Sequence, residues 1–357
     1  MTLLSAGDRV SDTLVVDRLL GEGAFAEVHR VDHRYLGWQA MKLFKQVASE
    51  QETRELLGEA RLLSTLGHPH IIRFFDAGTV RTAQGLRGFF TMEYVPGGTL
   101  ERFAAGHRPA VPTELVAELV TQVAAGLAVA HDQEPPILHR DLTMANILVG
   151  YDGAGLRIRI SDFGLAKRAD PFTLLASAQG TYAFMAPEVL RRRGYSSASD
   201  VWSVGTIAYL LLTNHLPFSD GGAFTPYPLT RFQAPLLPPS TYNETVDREL
   251  DRIVMAALTV EPGDRTATAR DLHAALLARR QKLVHPPGVA AEPAAATTTR
   301  PPTERARRLA DEARAMSRVP GGLPRAADLL EEAIGLSPRI RDLHLQTLVL
   351  WRRGVMM

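Results

Sequence analysis

The sequence predicts an α+β chain: a small β-rich lobe, a larger helical lobe and, after a linker, a small all-α segment. Three observations carry that prediction. From about residue 12 to 95, short apolar and β-branched runs alternate with glycine or charged turns. After Pro96-Gly97-Gly98 the periodicity turns helical as far as about residue 283. Residues 284–303 are rich in Pro, Ala and Thr, and helical spacing resumes from 304 to 357. A stretch of that linker composition buries too little surface to offset the entropy of ordering it.

In the first lobe, Leu14–Leu20, Ala26–Val31 and Gln39–Phe44 read as strands. Residues 50–66 read as a helix, because Leu56, Leu63 and Leu66 recur at helical spacing and Gly67-His68-Pro69 stops them. Ile71–Val80 and Phe89–Val95 return to the strand pattern. In the second lobe, Glu114–His131 is rich in Ala, Val and Leu and free of Pro, the pattern of a helix. Asn146–Gly150 and Leu156–Ile160 are strand-like, and residues 199–212, 246–258 and 269–283 are helical.

Composition bounds the function. Lys plus Arg number 40 and Asp plus Glu 39, a balance that argues against a general nucleic-acid or membrane-surface binder. Cysteine is absent, which excludes disulfides and thiolate metal sites. No uninterrupted apolar run approaches the roughly 20 residues of a bilayer span, the longest lying around Val204 to Leu212. The N-terminus lacks the pattern of a signal peptide. The expectation is a cytoplasmic protein with no nucleic-acid or membrane partner.

The candidate chemistry lies in four places. Leu20-Gly21-Glu22-Gly23-Ala24-Phe25-Ala26-Glu27-Val28 suits a hairpin whose backbone can approach phosphates closely. Lys42, in an apolar strand of a lysine-poor chain, needs an anion; a phosphate is one, and a carboxylate on the nearby helix, Glu59, is another. In His139-Arg140-Asp141-Leu142-Thr143-Met144-Ala145-Asn146, Asp141 and Asn146 lie five residues apart on one loop, so one can accept a hydroxyl proton while the other holds a metal. Asp162-Phe163-Gly164 supplies a second carboxylate, and the oxygen ligands of Asn146 and Asp162 suit Mg²⁺ better than zinc.

With Ala186-Pro187-Glu188 and Asp200-Val201-Trp202-Ser203-Val204-Gly205 added in order, the chain resembles the eukaryotic-type (Hanks) serine/threonine protein kinases over about residues 12–283. The resemblance implies a bilobal protein-kinase fold, an N-lobe of about 12–95 and a C-lobe of about 96–283, with ATP and Mg²⁺ as cofactors and protein as substrate. It makes Asp141 the catalytic base and Lys42, held by Glu59, the partner of the α- and β-phosphates. Asn146 and Asp162 become metal ligands. The nucleotide pocket becomes Leu20, Gly21, Gly23, Val28, Ala40, Lys42, Met92, Glu93, Val95 and Leu148, with Met92 at its back and the backbone of Glu93 to Val95 bonding adenine. It also implies that Leu63, Phe74, His139 and Phe163 stack between the lobes, that Asp200 anchors the catalytic loop, and that Glu188 pairs with Arg265.

Two positions depart from the family pattern. Ala26 replaces the third glycine of the nucleotide loop, a change of one methyl. Thr143 stands where most Ser/Thr kinases carry a lysine that contacts the γ-phosphate, and the loss of one such contact costs on the order of 10²–10³ in rate. That leaves an alternative, an ATP-binding pseudokinase scaffold acting through its C-terminal helices. A small-molecule phosphotransferase is disfavoured by the APE and DVWSVG motifs. Gly180-Thr181 resembles the Ser/Thr-specific pattern, and Thr173 and Ser177 are candidate phosphorylation sites facing Arg140. In the last segment, Ala326, Leu330, Ala333 and Pro338 have the spacing of the second helix of a tetratricopeptide repeat, with Pro338 ending it and 343–353 beginning another. So short a solenoid leaves an apolar face to dock on the kinase, self-associate or bind a partner.

Overall fold

The computed structural model of the chain describes residues 2–45, 66–107, 110–152, 155–163, 181–218, 229–284, 304–319, 322–336 and 338–352. Residues 50–65 of the helix expected at 50–66, with Glu59 and Leu63, lie outside these residues, as do Thr173, Ser177 and Gly180.

The first lobe is an antiparallel sheet of β1 (Leu14–Glu22), β2 (Ala26–His33), β3 (Gly37–Phe44), β4 (Phe74–Thr82) and β5 (Gly85–Glu93), in the order β1-β2-β3-β5-β4. Period-2 alternation sorts its side chains onto two faces. Ala40 and Lys42 stand opposite Met92 and Phe90 across the β3–β5 ladder, and Val28 opposite Lys42 across β2–β3. This is the face toward the second lobe. The other face buries Val31, Met41, Leu43 and Phe89, and Leu3 and Leu4 close over it. Because both faces are covered, the strand Gln39–Phe44 reads as nearly continuous apolar sequence around its one lysine.

The second lobe contains α1 (Leu100–Ala105), α2 (Thr113–His131), the hairpin β6 (Ile147–Asp152) and β7 (Gly155–Ile160), then α3 (Pro187–Leu190), α4 (Ser197–Thr213), α5 (Arg248–Ala257) and α6 (Ala269–Val284). One apolar core joins α2, α4, α5 and α6. By length and composition α2 is long and apolar enough to cross a membrane, with Glu114, Glu118, Thr121 and Gln122 interrupting its apolar run, and most of it is buried inside the protein. Its fully buried Leu119, Ala124 and Leu127 make it the central helix of this core.

Three further helices follow, α7 (Glu304–Ser317), α8 (Leu323–Leu336) and α9 (Pro338–Arg352). Alanines make the α7–α8 contact: Ala306, Ala310 and Ala313 meet Ala326, Ala327 and Ala333, allowing close approach of the two axes. α8 ends at Leu336, two residues before Pro338 as the spacing predicts, and Pro338 also begins α9. Proline tolerates a first helical turn because its missing N–H has no intrahelical partner there.

Candidate active site

The loop 139–146 runs between α2 and β6, and a single buried carboxylate holds its backbone. Asp200, in the first turn of α4, accepts from the amides of His139 (2.7 Å) and Arg140 (2.9 Å) and makes a hydrogen bond with His131 Nε2 (2.9 Å). Burial alone would raise its pKa; the hydrogen bonds from His131 and the His139 backbone reverse this and hold it below the usual carboxylate range. Asp200 also fixes Arg140 at φ +69°, a conformation costing a non-glycine residue about 1–3 kcal/mol. The His139 ring contacts Phe163 at 4.8 Å and bonds the Ser161 carbonyl at 2.9 Å, and Ser161 donates from both N and Oγ to the Asn146 carbonyl. The two ends of the site are thereby locked together. Of the expected inter-lobe stack, His139 and Phe163 touch, Phe74 packs between the cores of the two lobes, and Leu63 is outside the described residues.

Asn146 donates through Nδ2 to the Asp141 carbonyl (2.7 Å) and to Asp141 Oδ2 (3.3 Å), which leaves its Oδ1 for a cation. Asp141 Oδ1 is buried with no hydrogen-bond partner among the described residues, and burial is the main cause pushing this carboxyl's pKa up. A buried acceptor without a donor is costly in a finished core; here it marks where a hydroxyl would be received.

Lys42 reaches Asp162 Oδ1 at 2.6 Å. The expected partner of Lys42, Glu59, lies outside the described residues, and among those described its partner is Asp162. Both side chains stay partly open, 16% and 26% exposed, and Asp162 has φ +62°. The pair joins the strand of one lobe to the end of β7 in the other across the cleft.

The apolar pocket residues come together. Ala40 and Met92 belong to one buried cluster with Val28, Val95 and Leu148 packed against it. Leu20 stands apart, 40% exposed. Gly21 and Gly23 are at the hairpin tip, where Gly23 N–H bonds the Ala26 carbonyl at 2.9 Å. A side chain at Gly21 would meet nothing within 4 Å, and neither glycine has positive φ, so the fold itself does not require glycine there. The Glu93 N–H donates to the Arg73 carbonyl (2.8 Å), and the Glu93 carboxylate accepts from Arg159 Nε (2.9 Å). That second tie, from the hinge to β7, was not read from the sequence, since nothing local pairs residues 66 apart.

Glu188 and Arg265 form the expected pair, at 2.8 and 2.9 Å, and Arg265 further donates to the carbonyls of Thr259, Val260 and Ala198. Thr143 is buried in a recess with Asp141, Phe184 and Tyr195.

Comparison with known proteins follows this geometry. The protein kinase domain family matches residues 14–277. The chain is 35% identical over 247 residues to mitogen-activated protein kinase kinase kinase 10 of Mus musculus, covering 67% of this chain and 26% of that protein. It is 30% identical over 275 residues to the serine/threonine-protein kinase PknB of Mycobacterium leprae, covering 75% and 43%. It spans less than half the length of either relative. Among solved structures, the kinase domain of PknI from Mycobacterium tuberculosis matches with TM-score 0.58 and 26% identity, over 78% of this chain and 99% of that one. With the motifs in order, the cleft assembled and three quarters of the chain matched, the chain belongs to the protein kinase domain family.

Proposed function

We propose that the chain is a serine/threonine protein kinase that transfers the γ-phosphoryl group of ATP to hydroxyl groups of proteins. The observation that carries this reading is Asp141 Oδ1, a buried and unpartnered acceptor beside Asn146, Asp162 and Lys42. Asp141 orients the acceptor hydroxyl and takes its proton, and burial, which raises its pKa, suits it to that role. Magnesium, when bound, neutralises phosphate charge, and the oxygen donors of Asn146 and Asp162 suit it. Lys42, already paired with an anion at 2.6 Å, has the reach to serve a phosphate. Adenine lies between Val28 and Ala40 above and Leu148 below, with Met92 behind. Because the Glu93 N–H is committed to Arg73, the base meets the Glu93 carbonyl and the backbone of Val95. The open glycines at 21 and 23 favour close passage of the phosphates.

The Ser/Thr class is supported by relatives of that name, PknB of Mycobacterium leprae and PrkC of Bacillus subtilis, and by Gly180-Thr181. The scaffold alternative rests on Thr143 alone, whereas Asp141, Asn146, Asp162 and Lys42 are all retained in one cleft. We assign residues 12–283 to the kinase unit, 284–303 to a linker and 304–357 to a tetratricopeptide-like segment for partner binding or self-association, in a cytoplasmic protein. Incubation with labelled ATP, Mg²⁺ and a generic protein substrate, beside an Asp141→Asn control, tests the activity. Label on serine or threonine from the wild type alone supports it; equal labelling by both proteins, or none by either, refutes it.

A further inference from the structure

Among the described residues, the last three helices meet the kinase unit around Tyr151 on β6, whose ring packs against their apolar cluster and whose hydroxyl donates to Glu331 Oε1 on α8 at 2.7 Å. Glu331 is 3% exposed and also accepts from Arg352, which bridges to Asp328 at 2.7 Å. Two cavities flank this contact, about 380 and 200 Å³, and Tyr151 lines both. Burial, and then the charge of Glu331, push the phenol's pKa well up, so it remains a donor. The hydrogen-bonded triad thus sits at the link between the two units, with a cavity on either side.

What the triad grips is the strand that builds the candidate site. β6 begins at Ile147, next to the candidate metal ligand Asn146, and carries Leu148 of the adenine pocket three residues before Tyr151. The hinge rests on the same strand: Val149 N–H bonds the Gly98 carbonyl at 2.8 Å, Thr99 bridges to Leu148, and a Cβ at Gly97 would lie 2.1 Å from the Val149 carbonyl oxygen. β7, paired to β6 along its length, ends two residues before Asp162. A strand clamped at Tyr151 is therefore clamped against hinge, adenine floor and metal ligand together.

We infer that Tyr151 and Glu331 are positioning residues for nucleotide binding, through which the docked C-terminal helices set the affinity of the kinase site for ATP. This rests on the kinase reading above and extends it. The coupling is reciprocal, so bound nucleotide must tighten the docking of α8 and α9 by the same factor.

The test uses the full chain and a fluorescent ATP analogue with Mg²⁺. Tyr151→Phe removes only the hydroxyl and keeps the ring in place, and Glu331→Ala removes the acceptor. Each is expected to raise the analogue's Kd, and the KM for ATP with it, by at least about fivefold, with kcat within about twofold. The double variant is expected to match the worse single variant, because both changes break one contact. Amides of 323–352 are expected to exchange more slowly with nucleotide bound. An unchanged Kd in both single variants would overturn the inference, as would additive effects or exchange of those amides that ignores the nucleotide. Since binding is read directly, these outcomes stand even for a chain that transfers no phosphate. Loss of transfer activity in the wild type would sink the kinase reading alone.

Discussion

Two ion pairs, one in each half of the kinase unit's chemistry, show how differently the same charges can be used. Arg265 and Glu188 are 0% and 9% exposed, bonded twice to each other, and Arg265 spends its remaining donors on three carbonyls. Nothing is left over for a ligand, and the pair ties the Ala186-Pro187-Glu188 motif to the region before α6. Burial would raise the pKa of Glu188, but Arg265 holds it below its ordinary value. Among the described residues, Lys42 and Asp162 share a single bond and keep part of each side chain open to the cleft. A saturated pair serves the fold; an unsaturated one can exchange its partner for phosphate or metal.

The comparison can be broken first at the saturated pair. Arg265→Ala strands Glu188 in the core and is expected to destabilise the protein by about 3–5 kcal/mol, the usual penalty for halving a buried pair. Denaturant unfolding measures it, and a loss under about 1 kcal/mol, the scale of a surface pair, would erase the distinction. Lys42→Met should do the reverse. Stability is expected to change by less than about 1 kcal/mol, while phosphoryl transfer falls on the order of 10²–10³. A large stability loss there would make Lys42–Asp162 a structural pair as well.

A smaller effect sharpens the account of the loop. Thr143→Lys restores the cation that the sequence lacks and is expected to raise transfer by up to about 10², provided the recess with Phe184 and Tyr195 admits it. An unchanged rate with unchanged stability would mean that Lys42 already meets the charge.

A further effect is a pH dependence. Burial lowers the pKa of His70 from 6.5 to about 4, since its ring is packed near β7 with one long hydrogen bond to the Ile158 carbonyl. The unfolded chain then binds the proton first, so stability falls as pH drops from about 6.5 toward 4 and is level above. His70→Gln should flatten that part of the thermal-unfolding profile; an unaltered slope would assign it elsewhere.

How far these sites could be read from the sequence depended on range. Motifs of eight residues or fewer, such as His139 to Asn146, carried the loop that brings Asp141 and Asn146 together, because loop geometry is local. Glu188 with Arg265 came from the family resemblance, and the structure holds them together 77 residues apart. Tyr151 with Glu331, 180 residues apart, had no local signal: a tyrosine at a strand end and a glutamate on a helix are ordinary surface residues until docking buries them. The same reason hid the Glu93–Arg159 tie. Pro338 was legible as the end of α8, but the start of α9 at the same residue rather than at 343 was not, because proline both follows helices and opens them.

The most direct test of the central claim is mass spectrometry of the full chain and a generic protein substrate after incubation with ATP and Mg²⁺, wild type beside Asp141→Asn. Phosphate mapped to serine or threonine residues in the wild-type reaction and absent from the variant is the predicted result. Phosphate at the same sites and level in both, or in neither, would contradict the assignment of Asp141 as the base of a protein kinase.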